Sequence, residues 1–147
     1  MSFLSSLDIS ASGLTASRLR MDLISENIAN SDTTRTQAGG PYRRKMAVYE
    51  EATPDDFRSA FESKLSAEEN APKGVKVAQV VEDQTPFTPV YNPEHPDADA
   101  NGYVMMPNVD ISKEIMDMMS VTRAYEANLT ALNAVKTMAS KALELGR

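Results

Sequence analysis

The segment DADANG at residues 97–102 has the oxygen side chains that could bind a calcium ion. They alternate along the chain and are followed by a glycine, as in the first half of an EF-hand loop: Asp97, Asp99, Asn101, Gly102. The carboxylate that closes such a loop would fall on Asn108, and two prolines in NPEHP forbid the preceding helix. We therefore expect no metal site here, and the segment needs another explanation.

Side chains for nucleophilic catalysis are scarce in this chain. There is one histidine, His95, and no cysteine, so Ser-His-Asp and Cys-His arrangements have at most one possible base. His95 lies between two prolines, where an exposed turn residue is the simpler interpretation. A hydrolase that uses Asp97 and Asp99 is one alternative, but the elements predicted below enclose no pocket for it. We expect no catalytic residue and no cofactor.

The charge balance and hydropathy exclude several classes of partner. The formal net charge is -6 and the pI is about 4.8, so no large positive field attracts nucleic acid or an anionic membrane. The one basic run, Arg43-Arg44-Lys45, is interpreted as a solvated strand face. No run of apolar residues is long enough for a membrane span, and the first residues lack the pattern of a cleaved secretory signal. If the protein leaves the cytoplasm, we therefore expect a route that keeps its N-terminus.

Two long helices are predicted at the ends of the sequence. A seven-residue repeat of apolar residues marks the first: Leu7, Leu14, Met21, Ile28. It ends at NIANSDTT, whose polar side chains compete for backbone hydrogen bonds. The second helix begins after Asp110, a predicted N-cap, and runs for about 35 residues, or roughly 50 Å. Rows at heptad spacing in both helices predict coiled-coil-like pairing.

The sequence between the helices has a different period. YRRKMAVYE and GVKVAQVVED alternate apolar and polar residues, which predicts two strands paired in a long hairpin. A capping pattern and two phenylalanines predict a short helix near 54–65. Five prolines between Gln84 and Asn108 predict an extended arm without regular structure.

These elements predict a mainly α fold in which the terminal helices form an antiparallel coiled-coil-like domain with an inserted β-hairpin and extended arm. The helical domain would comprise residues 1–32 and 108–147, and the insertion residues 33–107. The residues expected in the helix seam are Leu7, Leu14, Met21, Ile28, Ile115, Met118, Tyr125, Leu129 and Leu132. Polar contacts that fix the register are expected from Asn27, Asn30 and Asn128.

The apolar surface of the second helix exceeds what one partner helix can cover. Contacts with other subunits would cover the rest, and the methionines at 116, 118, 119 and 138 suit packing sites that differ slightly between copies. An ordinary methionine-rich helical core is the alternative.

Four separated motifs carry a family resemblance: SLDISASGLTASRLRMDLISENIANSDTTRT, GGPYRRK, VYNPEHPDADANGYVMMPNVD and VTRAYEANLTALNAVKTMASKALELG. In this order they resemble the axial proteins of the bacterial flagellum, a family of rod, hook and hook-associated subunits. Many axial proteins have Thr-Thr-Gly-Tyr after the Asn-Ile-Ala-Asn signature, where this chain has Thr33-Thr34-Arg35-Thr36. That departure favours the proximal-rod branch. Residues 50–74 carry no motif of the family.

The resemblance implies a non-enzymatic structural subunit of the proximal rod, in a helical tube that transmits torque from the rotor to the hook and filament. The implied partners are copies of itself, other proximal and distal rod proteins, and the rotor MS-ring and export-gate components at the base. The implied location is the periplasmic rod, reached through type III export, with no nucleic acid bound and no membrane insertion. The segment DADANG would then be structural, with carboxylates capping turns and Gly102 adopting a turn conformation. A coiled-coil adaptor or a component of another secretion or axial assembly is the alternative.

Overall fold

The computed structural model describes residues 3–37, 39–52 and 73–145. Their elements, in chain order, are helix α1 (Phe3–Ala29), strands β1 (Lys45–Glu51), β2 (Val75–Glu82), β3 (Thr88–Tyr91) and β4 (Tyr103–Met106), and helix α2 (Ile111–Leu145). The mainly α class with two long terminal helices and an inserted hairpin is confirmed. The short helix predicted near 54–65 lies outside the described residues.

Polar side chains at the end of α1 and at the start of α2 form hydrogen bonds with backbone groups that have no partner within the helix. After α1, the backbone N–H of Asn30 donates to the Glu26 carbonyl at 3.1 Å, and Asn30 Nδ2 donates to the same oxygen at 2.9 Å. Before α2, Asp110 Oδ1 accepts hydrogen bonds from the backbone amides of Ser112 at 3.0 Å and Lys113 at 3.3 Å. The predicted N-cap of the second helix is therefore confirmed.

The predicted pairing of β1 with β2 is also confirmed. The two strands form an antiparallel two-stranded sheet. Backbone hydrogen bonds continue the ladder at each end, from the Ala52 amide to the Gly74 carbonyl and from the Asp83 amide to the Arg44 carbonyl, both at 2.8 Å. The alternating apolar pattern therefore located this hairpin correctly.

The prediction of an irregular arm between residues 84 and 108 is wrong, because this segment folds into a second hairpin. Strands β3 and β4 pair antiparallel, with Thr88 opposite Met106 and Tyr91 opposite Tyr103. One proline, Pro89, lies within a strand. A two-stranded ribbon tolerates it, since each strand has one unpaired edge where a missing N–H costs nothing. The other prolines of the segment lie outside the strands.

The segment DADANG forms the end of the loop that joins β3 to β4. Gly102 has a φ of 78°, a left-handed conformation that disfavours side-chain-bearing residues. Its amide donates to the Asp99 carbonyl, and the Asp99 amide donates to the Tyr103 carbonyl, both at 2.8 Å. Asp97 Oδ2 accepts a hydrogen bond from Thr34 Oγ1 at 2.8 Å. Within residues 3–37, 39–52 and 73–145 no cluster of three or more acidic or histidine side chains could hold a metal ion.

The described residues fall into two compact units. Unit 1 contains those within Met1–Arg18, Tyr49–Ala78 and Thr122–Arg147, and unit 2 those of Leu19–Val48 and Gln79–Val121. Buried apolar side chains of unit 2 form its core: Leu23, Ile24, Tyr42, Val104 and Val121. The division of the chain into domains 1–32 with 108–147 and 33–107 stays a prediction, as does coiled-coil pairing of the helices. Neither α1 nor α2 combines the length and apolar character needed to cross a membrane.

At two glycines of unit 1 the backbone lies so close to a neighbouring side chain that a Cβ atom would not fit without displacing it. A Cβ on Gly13 would lie 3.0 Å from Asn128 Nδ2, so glycine leaves room for the Asn128 side chain against α1. A Cβ on Gly74 would overlap Ser12 Oγ. That hydroxyl is held in place, since it donates to the Ile9 carbonyl at 2.7 Å and accepts from the Val75 amide at 3.1 Å. Ser12 thereby joins α1 to the start of β2.

We predict that Gly74→Ala destabilises the chain, by about 1–3 kcal/mol, because the new methyl group displaces Ser12 from both hydrogen bonds. Urea unfolding followed by circular dichroism measures the change. In a Ser12→Ala background the same substitution should cost less, because the overlapping hydroxyl is gone. Equal costs in the two backgrounds would show that the Gly74–Ser12 contact does not determine the effect.

Candidate functional site

Asn27, near the end of α1, is the centre of a group of hydrogen-bonded polar side chains in unit 2. Its side chain is buried, with 1% exposure. Its Oδ1 accepts hydrogen bonds from the Lys45 amide and the Tyr42 hydroxyl, both at 2.9 Å. Its Nδ2 donates to the Lys45 carbonyl at 3.0 Å and to Glu114 Oε2 at 3.1 Å. The side-chain amide thus makes all four of its hydrogen bonds. Because it pairs with both backbone groups of Lys45, it occupies the place of a neighbouring strand at the start of β1.

Glu114, in the first turn of α2, brings a buried negative charge into this arrangement. The side chain is fully buried, and its Oε1 accepts a hydrogen bond from Arg44 Nε at 2.6 Å. The Arg44 guanidinium also reaches Asp117 Oδ2 at 3.3 Å, one turn further along α2. A buried carboxylate is tolerated only when it is paired and hydrogen-bonded, and both conditions hold here. We call Asn27, Tyr42, Arg44, Lys45 and Glu114 the polar network.

A second asparagine fixes the backbone on the other side of the same strand. Asn108 Oδ1 accepts from the Arg44 amide at 2.9 Å, and its Nδ2 donates to the Asp83 carbonyl at 3.0 Å and to Thr85 Oγ1 at 2.8 Å. Arg44 and Lys45 are therefore bound from opposite sides, by Asn108 and by Asn27. The start of α2, the end of β2 and the end of α1 are joined through two consecutive residues.

The basic run Arg43-Arg44-Lys45 is not a solvated strand face, so that interpretation is wrong. All three side chains are half-buried. Arg43 donates to the Asp83 carbonyl at 3.1 Å and lies 4.3 Å from the centre of the Phe87 ring. Lys45 forms an ion pair with Glu26. Sequence reasoning missed these partners because they lie many positions away and no local pattern links a basic residue to them.

The ionisation of the Tyr42 hydroxyl is displaced by its surroundings in the polar network. Burial raises the pKa of Tyr42 to about 12, and the negative charges of Glu26, Glu114 and Glu82 add to that effect. The neutral hydroxyl is therefore favoured, which lets it donate to Asn27 Oδ1. The described part of the chain contains no buried side-chain nitrogen or oxygen without a hydrogen-bond partner.

The residues expected in the helix seam differ in their exposure. Seven are half-buried: Leu7, Leu14, Met21, Ile28, Met118, Tyr125 and Leu132. Ile115 is 48% exposed and Leu129 is 41% exposed, so both are available to another molecule. The assignment of all nine to an assembly seam stays a prediction, and a partner for these last two would have to come from another subunit.

The three asparagines expected to fix the register have different surroundings. Asn27 forms the centre of the polar network, whereas Asn30 bonds to its own helix and accepts from Thr33 Oγ1 at 3.1 Å. Asn128 is half-buried beside Gly13 in unit 1. Their role in register stays a prediction. The structure shows in addition that Arg44 and Glu114 of the polar network, together with Asn108, join separate elements, which no spacing in the sequence indicated.

Comparison with known proteins places this fold among the proteins of the flagellar rod. A family model described as "Flagella basal body rod protein" matches residues 7–37, and one described as "Flagellar basal body rod FlgEFG protein C-terminal" matches residues 100–145. The first match ends within the α1–β1 connection, and the second covers β4 and α2. The chain is thus of the class of flagellar basal-body rod proteins.

Full-length relatives define the family more narrowly. The chain is 53% identical to the flagellar basal-body rod protein FlgC of Bacillus subtilis, over 97% of each chain. It is 42% identical to FlgC of Salmonella typhimurium over the whole of both chains, and 40% identical to FlgC of Borreliella burgdorferi over 99% of this chain and 98% of that one. The chain belongs to the FlgC family of flagellar basal-body rod proteins. The resemblance to rod proteins is thereby confirmed, and the family is one of structural proteins and not of enzymes.

We predict that Glu114→Ala lowers the free energy of unfolding by about 3 kcal/mol, because it leaves the Arg44 guanidinium half-buried with only Asp117 and removes a partner from Asn27. Urea unfolding of the whole chain measures the change. The matched control is Asp117→Asn, which removes a partly exposed partner of the same arginine and should cost about 1 kcal/mol or less. Equal costs for the two variants would contradict the importance of the buried pair.

The pKa of Tyr42 predicts a loss of stability in alkaline solution. Since the folded chain holds the proton up to about pH 12 whereas an unfolded tyrosine loses it near pH 10, the folded state binds more protons in this interval. The contribution is complete below pH 10 and decreases above it by up to about 1.4 kcal/mol per pH unit. Urea unfolding between pH 9 and pH 11.5 tests this. In Tyr42→Phe the free energy of unfolding should decrease less steeply with pH above pH 10. If it decreases as steeply as in the unmodified chain, groups other than Tyr42 cause the loss of stability.

Proposed function

We propose that the chain is a structural subunit of the proximal rod, where copies pack in a helical tube that transmits torque from the rotor to the hook and filament. Its full-length identity to FlgC proteins is the observation that supports this most strongly. Family membership implies a place in the basal body and assembly with other rod proteins. Contacts with the MS-ring and export-gate components at the base, a periplasmic location and export without a cleaved signal belong to the proposal.

Two features of the chain suit a part that must be stiff and must also polymerise. The polar network fixes the start of β1 to the end of α1 and the first turn of α2 through directional hydrogen bonds, so unit 2 resists deformation. Large apolar side chains nevertheless remain exposed on α2, among them Ile111, Ile115, Met116, Met119 and Leu129. Contiguous exposed apolar surface is typical of protein interfaces. Repeated contacts between different surfaces on successive copies generate an open helical polymer.

The alternatives are less well supported. A coiled-coil adaptor in another secretion or axial system would require relatives of that kind, whereas the full-length relatives described above are rod proteins. A hydrolase that uses Asp97 and Asp99 would require a free carboxylate pair. Asp97 instead accepts from Thr34 and lies 3.9 Å from Arg35 Nη1.

We predict that Leu132→Asp abolishes swimming without lowering the amount of the chain, because a carboxylate in an apolar helix seam costs several kcal/mol unless it is paired. Leu14→Asp should act in the same way. The test compares swimming in soft agar with the amount of the chain, in cells where the variant is the only copy.

The matched control is Ala134→Asp, which puts the same charge at an exposed position of α2 two residues away and should leave swimming intact. Normal swimming with Leu132→Asp would count against the seam. Normal swimming after deletion of the whole chain would count against the rod function itself.

A further inference from the structure

The β3–β4 hairpin has one face on which all four side chains are exposed. The strand register places Pro89, Tyr91, Tyr103 and Met105 on the same side of the ribbon, and all four are exposed. Tyr91 is 65% exposed and packs edge-on against Tyr103, with ring centres 5.4 Å apart. On the opposite side Val104 is 2% exposed, whereas Val90, its partner in the register, is 45% exposed. The ribbon is thus packed against the chain at Val104 and presents two tyrosines, a methionine and a proline on its other side; we call these four residues the ribbon face.

The loop beyond the two tyrosines is acidic. It contains Glu94 and Asp99, both exposed, and neither forms an ion pair with the part of the chain that the structure describes. The third acid, Asp97, is fixed by Thr34, which holds the end of the hairpin in place. A partner that covers the ribbon face therefore meets an apolar and aromatic surface followed by unpaired negative charge. It should be apolar, with at least one cation.

A surface of this kind exists on α2 in unit 1. Leu129, Lys136 and Leu143 recur at seven-residue intervals on one side of the helix, and all three are exposed. Within residues 3–37, 39–52 and 73–145, Lys136 has no acidic partner. About 10 Å separates Lys136 from either leucine along the helix, and the four-residue strands β3 and β4 extend over a similar length before the acidic loop begins. We call these three residues the leucine–lysine row.

We propose that the ribbon face of one copy docks on the leucine–lysine row of a second copy, with Lys136 near the acidic loop and a leucine against the tyrosines. This inference rests on the proposed function, since it names the partner surface within the rod. The argument is complementarity: each surface is apolar, each carries a charge that has no oppositely charged partner among the described residues, and the two charges are opposite. Two different surfaces make a heterologous contact, which continues from copy to copy without closing into a dimer.

The test places a photo-crosslinking phenylalanine derivative at Tyr91 in cells where the variant is the only copy, followed by irradiation of isolated basal bodies. The expected product is a covalent dimer of the chain, in which mass spectrometry locates the attachment within residues 129–143. An adduct with another protein, with a different segment of the chain, or no adduct in assembled rods would overturn the proposal. The same probe at Tyr49, an exposed tyrosine on β1, is the control and should give no such adduct.

A second position and a charge exchange make the result independent of one variant. Tyr103 can carry the same probe, because its ring lies on the ribbon face. Lys136→Glu, or Glu94→Lys with Asp99→Lys, should lower the yield of the dimer by up to about fivefold, the effect of an exposed ion pair. All three changes together should restore it, since every copy then carries both exchanged charges. If the yield of the dimer stays low in the variant with all three changes, the proposed contact between Lys136 and the acidic loop is refuted.

A swimming assay distinguishes a refutation of this contact from a refutation of the proposed function. Cells that swim but give no attachment within residues 129–143 would retain the rod function and refute only the docking of the ribbon face. Cells that swim with Leu132→Asp would refute the seam on which the rod function depends, whatever the crosslinks show.

Discussion

The ion pair between Glu114 and Arg44 is the interaction on which the rest of unit 2 depends. A carboxylate with no access to water is expensive unless its charge and its lone pairs are satisfied, and here an arginine and an asparagine satisfy them. That requirement brings the first turn of α2, the residue before β1 and the end of α1 to one place. Apolar contacts would stabilise the same elements with less control of register, because they are not directional. The polar network thus explains how unit 2 can hold the end of α1 and the first turn of α2 at defined positions.

In the proposed rod, different residues would supply stiffness within the subunit and adhesion between subunits. Unit 2 buries two polar side chains, Asn27 and Glu114, beside its apolar core, and it leaves large apolar side chains exposed at the start of α2 and on the ribbon face. In a chain that works alone, exposed apolar side chains are mostly scattered. In the proposed rod, we expect the next copy or a related protein to cover this exposed apolar surface.

Local patterns in the sequence predicted most helices and strands well, but they predicted the contacts between these elements poorly. The alternation of YRRKMAVYE and GVKVAQVVED located β1 and β2, and Asp110 marked the start of α2, because these signals depend on neighbouring residues alone. The second hairpin was missed, since its prolines were taken to exclude strands, although a two-stranded ribbon has free edges. Asn27 was predicted to make a polar contact that fixes the register of the helices. Its partners Arg44 and Glu114 were not, because they are far apart in the sequence and a charged residue looks the same there whether it is solvated or paired.

Hydrogen exchange at two backbone amides tests the polar network most directly. The Lys45 amide donates to Asn27 Oδ1 and the Arg44 amide to Asn108 Oδ1, so both should exchange slowly in the intact chain. Asn27→Ala should release the Lys45 amide, by far more than the amides in the middle of β1, and Asn108→Ala should release that of Arg44. Fast exchange of both amides in the unmodified chain would contradict the account, because the two asparagines would then not hold the start of β1.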